Sequence, residues 1–324
     1  MELNRVTDKL MFMLLSRGLD DRLQEVIDAS RKGARKERLK LSHIKEDARP
    51  TVKKFVSIFK ENFSTKQTAE MITRINSLEI VEEIGDTVKV QKFISLGSYD
   101  NGTNRILLTN YDFKDIPFEK WETLMHELLH MASTKETDHG TITGLEIPGY
   151  IGLQLNEGYT EYLAEKYFTK GMKYTNTDDY KVFFAKGIEN VVGPKRMEKF
   201  YFDANIGELV KVLEKYVSRK DIFKLLFMID KIEDPFFTSR EIRSIVLEIA
   251  RINEVKLEQD YQDGKLSNEE FDIEYAIKVI EYKKTNLWSE ETTIKRDGNS
   301  FILVDQGKSS DLYEFTPQEE TYQK

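Results

Sequence analysis

Two histidines and a glutamate on one predicted helix are the residues of this sequence best suited to chemistry. Residues 121–134 are WETLMHELLHMAST, in which His126 and His130 stand four positions apart and Glu127 follows the first histidine. Positions i and i+4 of an α-helix project from one face, about 6 Å apart along the axis, so both imidazoles can reach one metal ion. The alternative is an ordinary amphipathic helix in which two polar residues occur by accident.

A zinc hydrolase needs a base and a third protein ligand besides the two histidines. Glu127 lies beside their face and could take a proton from zinc-bound water, whose pKa the metal lowers towards about 7. The chain has no cysteine, so the third ligand must be a histidine or a carboxylate. His139 does not fit the extended metzincin pattern, which requires Gly and His where this chain has Ser133 and Glu136.

A second acidic pattern supplies a better ligand. Residues 155–168 are LNEGYTEYLAEKYF, in which Glu157 and Glu161 again stand four positions apart. We expect Glu157 to be the third ligand and Glu161 to hydrogen-bond the ring nitrogen of a zinc histidine that does not bind the metal. Gly158 is costly inside a helix, which indicates either a close approach of the two zinc-bearing helices or only a position in the first helical turn.

The two motifs together resemble a known family. HELLH followed by Glu157 within NEGYTE resembles the gluzincin metallopeptidases, the thermolysin-like clan whose second helix carries Asn-Glu-x-x-x-(Asp/Glu). The strings HELLHMAS and GLQLNEGYTEYL are similar to uncharacterised bacterial proteins classed as zinc peptidases, over about residues 105–170. The resemblance implies a Zn²⁺ peptidase with His126, His130 and Glu157 as ligands and Glu161 as a supporting acid.

The chain departs from thermolysin at one functional position. No histidine follows His139, so the histidine that stabilises the transition state in thermolysin has no counterpart here. Tyr150, seven residues before Glu157, resembles in position a tyrosine of the lethal-factor branch of the clan. Its phenol could stabilise a developing oxyanion, and packing within a loop is the alternative. His43 is expected to be structural or exposed.

Hydrophobic periodicity places both motifs on helices that follow a small sheet. Residues 2–32 and 51–77 show helical spacing, whereas residues 80–110 are rich in β-branched residues and end in the strand RILLTN. Helices are predicted over 117–134 and about 153–169, with a loop between them. The later chain is predicted to be helical to about residue 286 and to end in a β-hairpin. The predicted fold class is therefore α+β and predominantly helical.

These patterns divide the chain into four predicted regions. A length of 324 residues allows two or three packed units. The regions are a helical N-terminal region at 1–78, a zincin-like catalytic core at 79–176, a helical C-terminal region with the terminal hairpin at 177–306, and a polar tail at 307–324.

Composition limits the classes of function. Hydrophobic residues make up 40% of the chain and charged residues 33%, which is typical of a folded protein. The net charge of -8 argues against a nucleic-acid partner, and the basic run at 31–40 is expected to be a solvated helix face or connector. No segment approaches the ~20 apolar residues of a membrane span. Because no classical signal peptide is present, we expect a cytoplasmic location, with unconventional export as the alternative.

Two functions are consistent with these features. As an enzyme, the protein would bind a peptide or protein substrate along a strand edge such as RILLTN, with Glu127 first as base and then as proton donor. As a binding module, it would use zinc only to hold the fold, and the helical C-terminal half would recognise a protein partner. Glu127 favours the enzyme, since a structural zinc site needs no carboxylate beside the metal-bound water.

Overall fold

Helix α5 (Pro117–Ala132), which carries the two histidines, is built on a buried apolar face. Its buried apolar residues include Leu124, Met125, Leu128, Leu129 and Met131. The helix ends where the hydroxyls of Ser133 and Thr134 donate hydrogen bonds of 3.0 and 2.8 Å to the carbonyl oxygen of His130. These bonds satisfy one of the carbonyls that a helix end leaves without an intrahelical partner. The end of the histidine-bearing turn is therefore fixed.

The computed structural model describes residues 6–16, 18–30, 37–84, 97–110, 117–137, 140–168, 179–234, 236–267, 270, 292–297, 300–305 and 313–315. The remaining helices in these ranges are α1 (Val6–Leu15), α2 (Leu19–Ser30), α3 (Arg49–Asn62), α4 (Thr65–Ile75), α6 (Leu153–Tyr167), α7 (Asp179–Val192), α8 (Pro194–Phe202), α9 (Ile206–Leu213), α10 (Arg219–Asp230) and α11 (Ser239–Gln262). The strands are β1 (Glu79–Ile84), β2 (Gly97–Asp100), β3 (Arg105–Asn110), β4 (Thr134–Thr137), β5 (Gly140–Thr143), β6 (Thr292–Asp297), β7 (Ser300–Asp305) and β8 (Tyr313–Phe315).

The predicted fold class is confirmed. Helices dominate, and a small three-stranded sheet precedes α5 along the chain. Its order is β1-β3-β2, with β3 parallel to β1 and antiparallel to β2. Because β3 is the central strand, the expectation that RILLTN offers a free edge to a substrate is wrong. Among the described strands, β2 lies at the edge of this sheet, next to β3.

Two further strand pairings differ from the sequence prediction. The segment predicted as a loop after α5 forms the antiparallel pair β4 and β5, whose four-residue strands are too short to show a clear alternation. The predicted terminal hairpin is present as β6 and β7. β8 extends that sheet from within the segment predicted as a polar tail. Gly298, in the predicted hairpin turn, lies outside the described residues, as do residues 271–286 of the predicted helical region.

Apart from Met1, the chain forms two compact units, Glu2–Glu233 and Asp234–Lys324. The first contains the β1-β3-β2 sheet, both motif helices and helices α7 to α10. The second contains α11 and the β6-β7-β8 sheet. The predicted boundaries at 78–79 and 176–177 lie within the first unit, and the finer four-part division stays a prediction. No helix in the described ranges is long and apolar enough to cross a membrane.

Helices α6 and α7 pack closely at Gly158. A Cβ atom added at this position would lie 2.3 Å from both the carbonyl carbon and the carbonyl oxygen of Lys181 in α7. Real Cβ atoms do not approach backbone this closely, so only glycine fits. Close helix packing therefore explains Gly158, but the neighbour is α7 and not α5, the other predicted zinc-bearing helix.

The first turn of α6 is held by a carboxylate from another helix. Asp230, the last residue of α10, accepts hydrogen bonds from the backbone N–H groups of Gly152 (2.7 Å) and Gln154 (2.8 Å). Gly152 is the N-cap residue and supplies no side-chain cap of its own. A negative charge is favourable at a helix N-terminus, where N–H groups lack intrahelical partners. Asp230 thus fixes the start of the helix that carries Glu157.

Gly158→Ala should destabilise the protein, although Gly→Ala inside a helix normally stabilises it by about 1 kcal/mol. The reversed sign is expected because the added methyl group collides with the backbone of α7. Urea unfolding of the two proteins measures the difference. Adding Lys181→Ala should not restore stability, because the collision is with backbone atoms. A stabilised Gly158→Ala variant would contradict the close packing.

Asp230→Asn should change how stability depends on pH. Burial raises the pKa of Asp230 from 3.8 to about 7, against the effect of its hydrogen bonds from Gln154 and Gly152. The folded state therefore holds the proton more tightly than the unfolded chain, and stability falls as pH rises from about 4 through about 7. Asparagine does not titrate. The wild-type urea midpoint, measured relative to that of the variant, should therefore be higher at pH 5 than at pH 8. The same relative midpoint at both values would contradict the assignment.

Candidate metal centre

Three predicted ligand side chains converge between α5 and α6. The Nε2 atoms of His126 and His130 lie 3.0 Å apart. The carboxylate oxygens of Glu157 lie 3.5 Å from Nε2 of His126 and 3.4 Å from Nε2 of His130. The histidines come from consecutive turns of one helix, and the glutamate comes from the second helix. The three residues therefore turn two imidazole nitrogens and the two oxygens of one carboxylate toward a common region.

This arrangement fits a bound metal ion. Nitrogen and oxygen ligands of tetrahedral zinc lie about 2.0–2.1 Å from the ion, which places neighbouring ligand atoms about 3.3 Å apart. The two nitrogens are 3.0 Å apart, and each lies 3.4 or 3.5 Å from a different oxygen of Glu157. One ligand atom from each of the three residues lies within 4.8 Å of the others. The Glu157 side chain is 34% exposed, so the group is also open to a small molecule. His126, His130 and Glu157 could hold a metal ion.

The electrostatics of the group arise from a carboxylate placed against two imidazoles. Burial alone would raise the pKa of Glu157, but the charge of His130 and the hydrogen bonds from both histidines hold it well below the usual range. Burial alone would lower the pKa of His126, but its hydrogen bonds to Glu157 and Glu161 raise it well above the ordinary value. The carboxylate and the imidazoles thus favour a positive charge between them, which suits a bound cation.

Glu161 lies where the sequence predicted it. Its Oε2 atom is 2.8 Å from Nδ1 of His126. When Nε2 of His126 faces a metal, Nδ1 carries the proton and donates it to this carboxylate, which fixes the tautomer and the ring orientation. In the described structure, the other oxygen of Glu161 is buried and has no hydrogen-bond partner. The contact matches a supporting role, while the role itself stays a prediction.

His130 is oriented by neutral groups instead of a carboxylate. Its Nδ1 atom lies 3.5 Å from the hydroxyl of Thr160 and 3.4 Å from the amide nitrogen of Asn156. Thr160 donates to the carbonyl oxygen of Asn156 at 2.8 Å, so the Tyr201 hydroxyl, 2.7 Å away, must donate to Thr160. The hydroxyl oxygen of Thr160 can therefore also accept a hydrogen bond from Nδ1 of His130. A chain of hydroxyls thus supports the second histidine.

Glu127 lies beside the ligand group under strand β2. It lines the same cavity as the three ligands, and only 6% of the residue is exposed. Burial raises its pKa, partly offset by the positive charge of His126 and His130. A Cβ atom at Gly97 would lie 2.5 Å from Thr123 and 3.3 Å from Oε1 of Glu127. Glycine at the start of β2 therefore leaves room for Glu127 in the cavity wall.

The cavity has a volume of about 330 Å³ and a polar lining. Besides the ligand group and Glu127, its walls consist of Gly97, Ser98, Tyr99, Asn101, Thr143, Glu146, Leu153 and Asn156. Burial raises the pKa of Glu146 to about 6, and the charge of Glu157 adds to this effect. The described lining contains no lysine or arginine. The cavity around the candidate metal position is therefore acidic.

Tyr150 does not line this cavity. Its ring lies 6.0 Å from the guanidinium carbon of Arg22, and a Cβ atom added at Gly18 would lie 3.2 Å from its hydroxyl oxygen. The contacts of Tyr150 agree with the packing alternative, and its proposed role with an oxyanion stays a prediction without support from them. His43 is exposed and bonds the carbonyl oxygen of Ile75 through Nε2 at 3.0 Å. His139 lies outside the described residues.

Four residues of the site were not identified from the sequence. Thr160 belongs to the NEGYTE motif and stands four positions after Asn156, so helical spacing could have indicated it. Tyr201, Glu146 and Gly97 come from other parts of the chain. No local pattern places them beside the histidines, because their positions depend on how the elements pack.

The chain was compared with family models, curated proteins and solved structures, and nothing matches in any of the three comparisons.

Replacing the two glutamates of α6 should affect metal binding to different degrees. Glu157→Ala removes a ligand atom and should weaken binding most. Glu161→Gln removes only the charge that supports His126, so affinity should fall by ~10 to 100-fold. Glu165→Gln, one helical turn further along α6, is the matched control and should bind as wild type does. Competition with a chromophoric chelator measures the metal affinity of wild type and the three variants. If Glu161→Gln bound the metal more weakly than Glu157→Ala, the two assigned roles would be reversed.

Proposed function

We propose that this protein is a zinc-dependent peptidase that resembles the gluzincins. The observation that carries the proposal is the meeting of two imidazole nitrogens, 3.0 Å apart, with a carboxylate whose two oxygens lie 3.4 and 3.5 Å from them, and with Glu127 in the same cavity. Zinc is the metal that best suits two histidines and one carboxylate without thiolates, and hydrolytic zinc sites use three protein ligands.

Glu127 supplies the proton transfers of the proposed reaction. A bound zinc ion would supply a Lewis acid that polarises the scissile carbonyl and acidifies a water molecule. Glu127 would accept one proton from the attacking water as the carbon–oxygen bond forms. It would then donate that proton to the leaving amine as the carbon–nitrogen bond breaks. Its raised pKa makes it a stronger base, and a pKa closer to the working pH suits a group that acts first as base and then as acid.

Strand β2 is the better candidate for binding an extended peptide. Gly97, Ser98 and Tyr99 of β2 line the cavity, whereas β3 is paired on both sides. A peptide added to an exposed sheet edge gains main-chain hydrogen bonds that do not depend on its side chains. Such a peptide would pass over the candidate metal position next to Glu127.

The zinc-stabilised binding module is the weaker alternative. A site that only holds the fold gains nothing from a second, buried carboxylate beside the ligands, and burying such a charge without a role is costly. Glu127 is this carboxylate, and it faces an open cavity. The proposed substrate is therefore a peptide or protein that is hydrolysed at the site.

Glu127→Gln should keep the metal and the fold while losing peptide hydrolysis. The amide has almost the same shape and does not ligate the metal, but it cannot accept the proton of water. The rate should fall by ~100 to 10,000-fold, as is typical when a general base is removed. Cleavage of a mixed peptide library, followed by mass spectrometry of the product termini, measures activity, and elemental analysis measures retained zinc.

Glu136→Gln is the control, because Glu136 is exposed on β4 and does not line the cavity. It should cleave as wild type does. If Glu127→Gln also cleaved at the wild-type rate, Glu127 would not be the base. If wild type held zinc and cleaved nothing in the library, the result would favour the binding module.

A further inference from the structure

Glu146 is the cavity carboxylate that the proposed reaction does not use. It lies between β5 and α6, and its backbone N–H donates to the carbonyl oxygen of Thr143 at 3.3 Å, which holds the residue in the cavity wall. Its side chain is partly buried and interacts electrostatically with Glu157 and His130. Across the described ranges, this carboxylate accepts no hydrogen bond and forms no salt bridge.

The other carboxylates of the site already have partners or roles. Glu157 faces the two ligand imidazoles, and Glu161 accepts from the ring of His126. A bound dication would be balanced by the charges of Glu157 and Glu127. The charge of Glu146 would still lack a counter-ion in the same cavity. A partly buried charge of this kind is unfavourable unless a partner is supplied.

We propose that Glu146 binds a cationic nitrogen of the substrate, which makes it a specificity-determining residue. This inference rests on the proposed peptidase function and names its substrate class: peptides with a lysine or arginine beside the scissile bond, or with a free N-terminal ammonium group. Both sources offer the same chemistry, a positively charged nitrogen that donates hydrogen bonds to a carboxylate.

Leu153 favours a lysine or arginine side chain over an N-terminal ammonium group as the bound cation. It lines the same cavity and is 45% exposed, so it offers an apolar surface in an otherwise polar lining. Lysine and arginine place aliphatic stems along apolar surface while their charged ends reach polar groups. A carboxylate and a leucine in one cavity fit such a side chain better than they fit a bare ammonium group.

Positional peptide sets test the assignment. The first set consists of N-acetylated hexapeptides that carry a single lysine at each position in turn, and the second carries norleucine instead. Norleucine keeps the aliphatic stem and lacks the charge. The readout is the ratio of lysine to norleucine cleavage rates, because this ratio cancels a general loss of activity. Wild type, Glu146→Gln and the surface control Glu136→Gln are compared.

Wild type and Glu136→Gln should prefer lysine by about tenfold or more at one position beside the scissile bond, as expected for a charged hydrogen bond. Glu146→Gln should bring the ratio close to one. A third set with free N-termini separates the two sources. If wild type preferred this set over the acetylated peptides, and Glu146→Gln removed that preference, the bound cation would be the N-terminal ammonium. Equal ratios in wild type and Glu146→Gln in every set would overturn the proposal.

A binding measurement separates failure of this inference from failure of the peptidase proposal. The same peptides, labelled with a fluorophore, are titrated with zinc-loaded Glu127→Gln protein and with the Glu127→Gln, Glu146→Gln double variant, and anisotropy is recorded. If no peptide is cleaved but lysine peptides bind better only when Glu146 is present, Glu146 keeps its role and the peptidase proposal fails. If peptides are cleaved and no preference depends on Glu146, the inference alone fails.

Discussion

The structure of the site depends on one constraint: two helices must bring two imidazole nitrogens and a carboxylate together, with one ligand atom from each residue within 4.8 Å of the others. Helix α5 meets half of this constraint by itself, because its pitch places His126 and His130 on one face. The other half requires α6 to present Glu157 at the right height and rotation. A displacement of α6 by about one residue, a rise of ~1.5 Å, would remove the common point of the three ligand atoms.

The helices that follow α6 along the chain supply this precision. Asp230 of α10 accepts hydrogen bonds from N–H groups at the start of α6, and α7 packs against Gly158, next to Glu157. Tyr201 of α8 reaches Thr160 and through it the ring of His130. These three contacts come from three different helices and meet one 15-residue helix. The helices after α6 within Glu2–Glu233 therefore support the site, in addition to any partner that they bind.

Local features of the fold could be predicted from the sequence, and features that depend on packing could not. The helices of both motifs follow from 3.6-residue periodicity, and the grouping of His126, His130 and Glu157 was proposed from residue type and spacing. The strand β2, which lines the cavity, was predicted only as part of a sheet of unknown order, so its position beside Glu127 was missed. Tyr150 shows the opposite error. Its position in the sequence suggested chemistry, but its ring lies against Arg22 of α2 and does not line the cavity.

X-ray absorption spectroscopy of the purified, zinc-replete protein tests the central claim most directly, because it reports the atoms bound to the metal. We expect close to one zinc per chain, with nitrogen and oxygen ligands at about 2.0–2.2 Å and the outer-shell scattering of two imidazoles. The His126→Ala and His130→Ala variants should each lose the signal of one imidazole. Zinc well below one equivalent per chain, or a spectrum without imidazole scattering in the wild-type protein, would contradict the account.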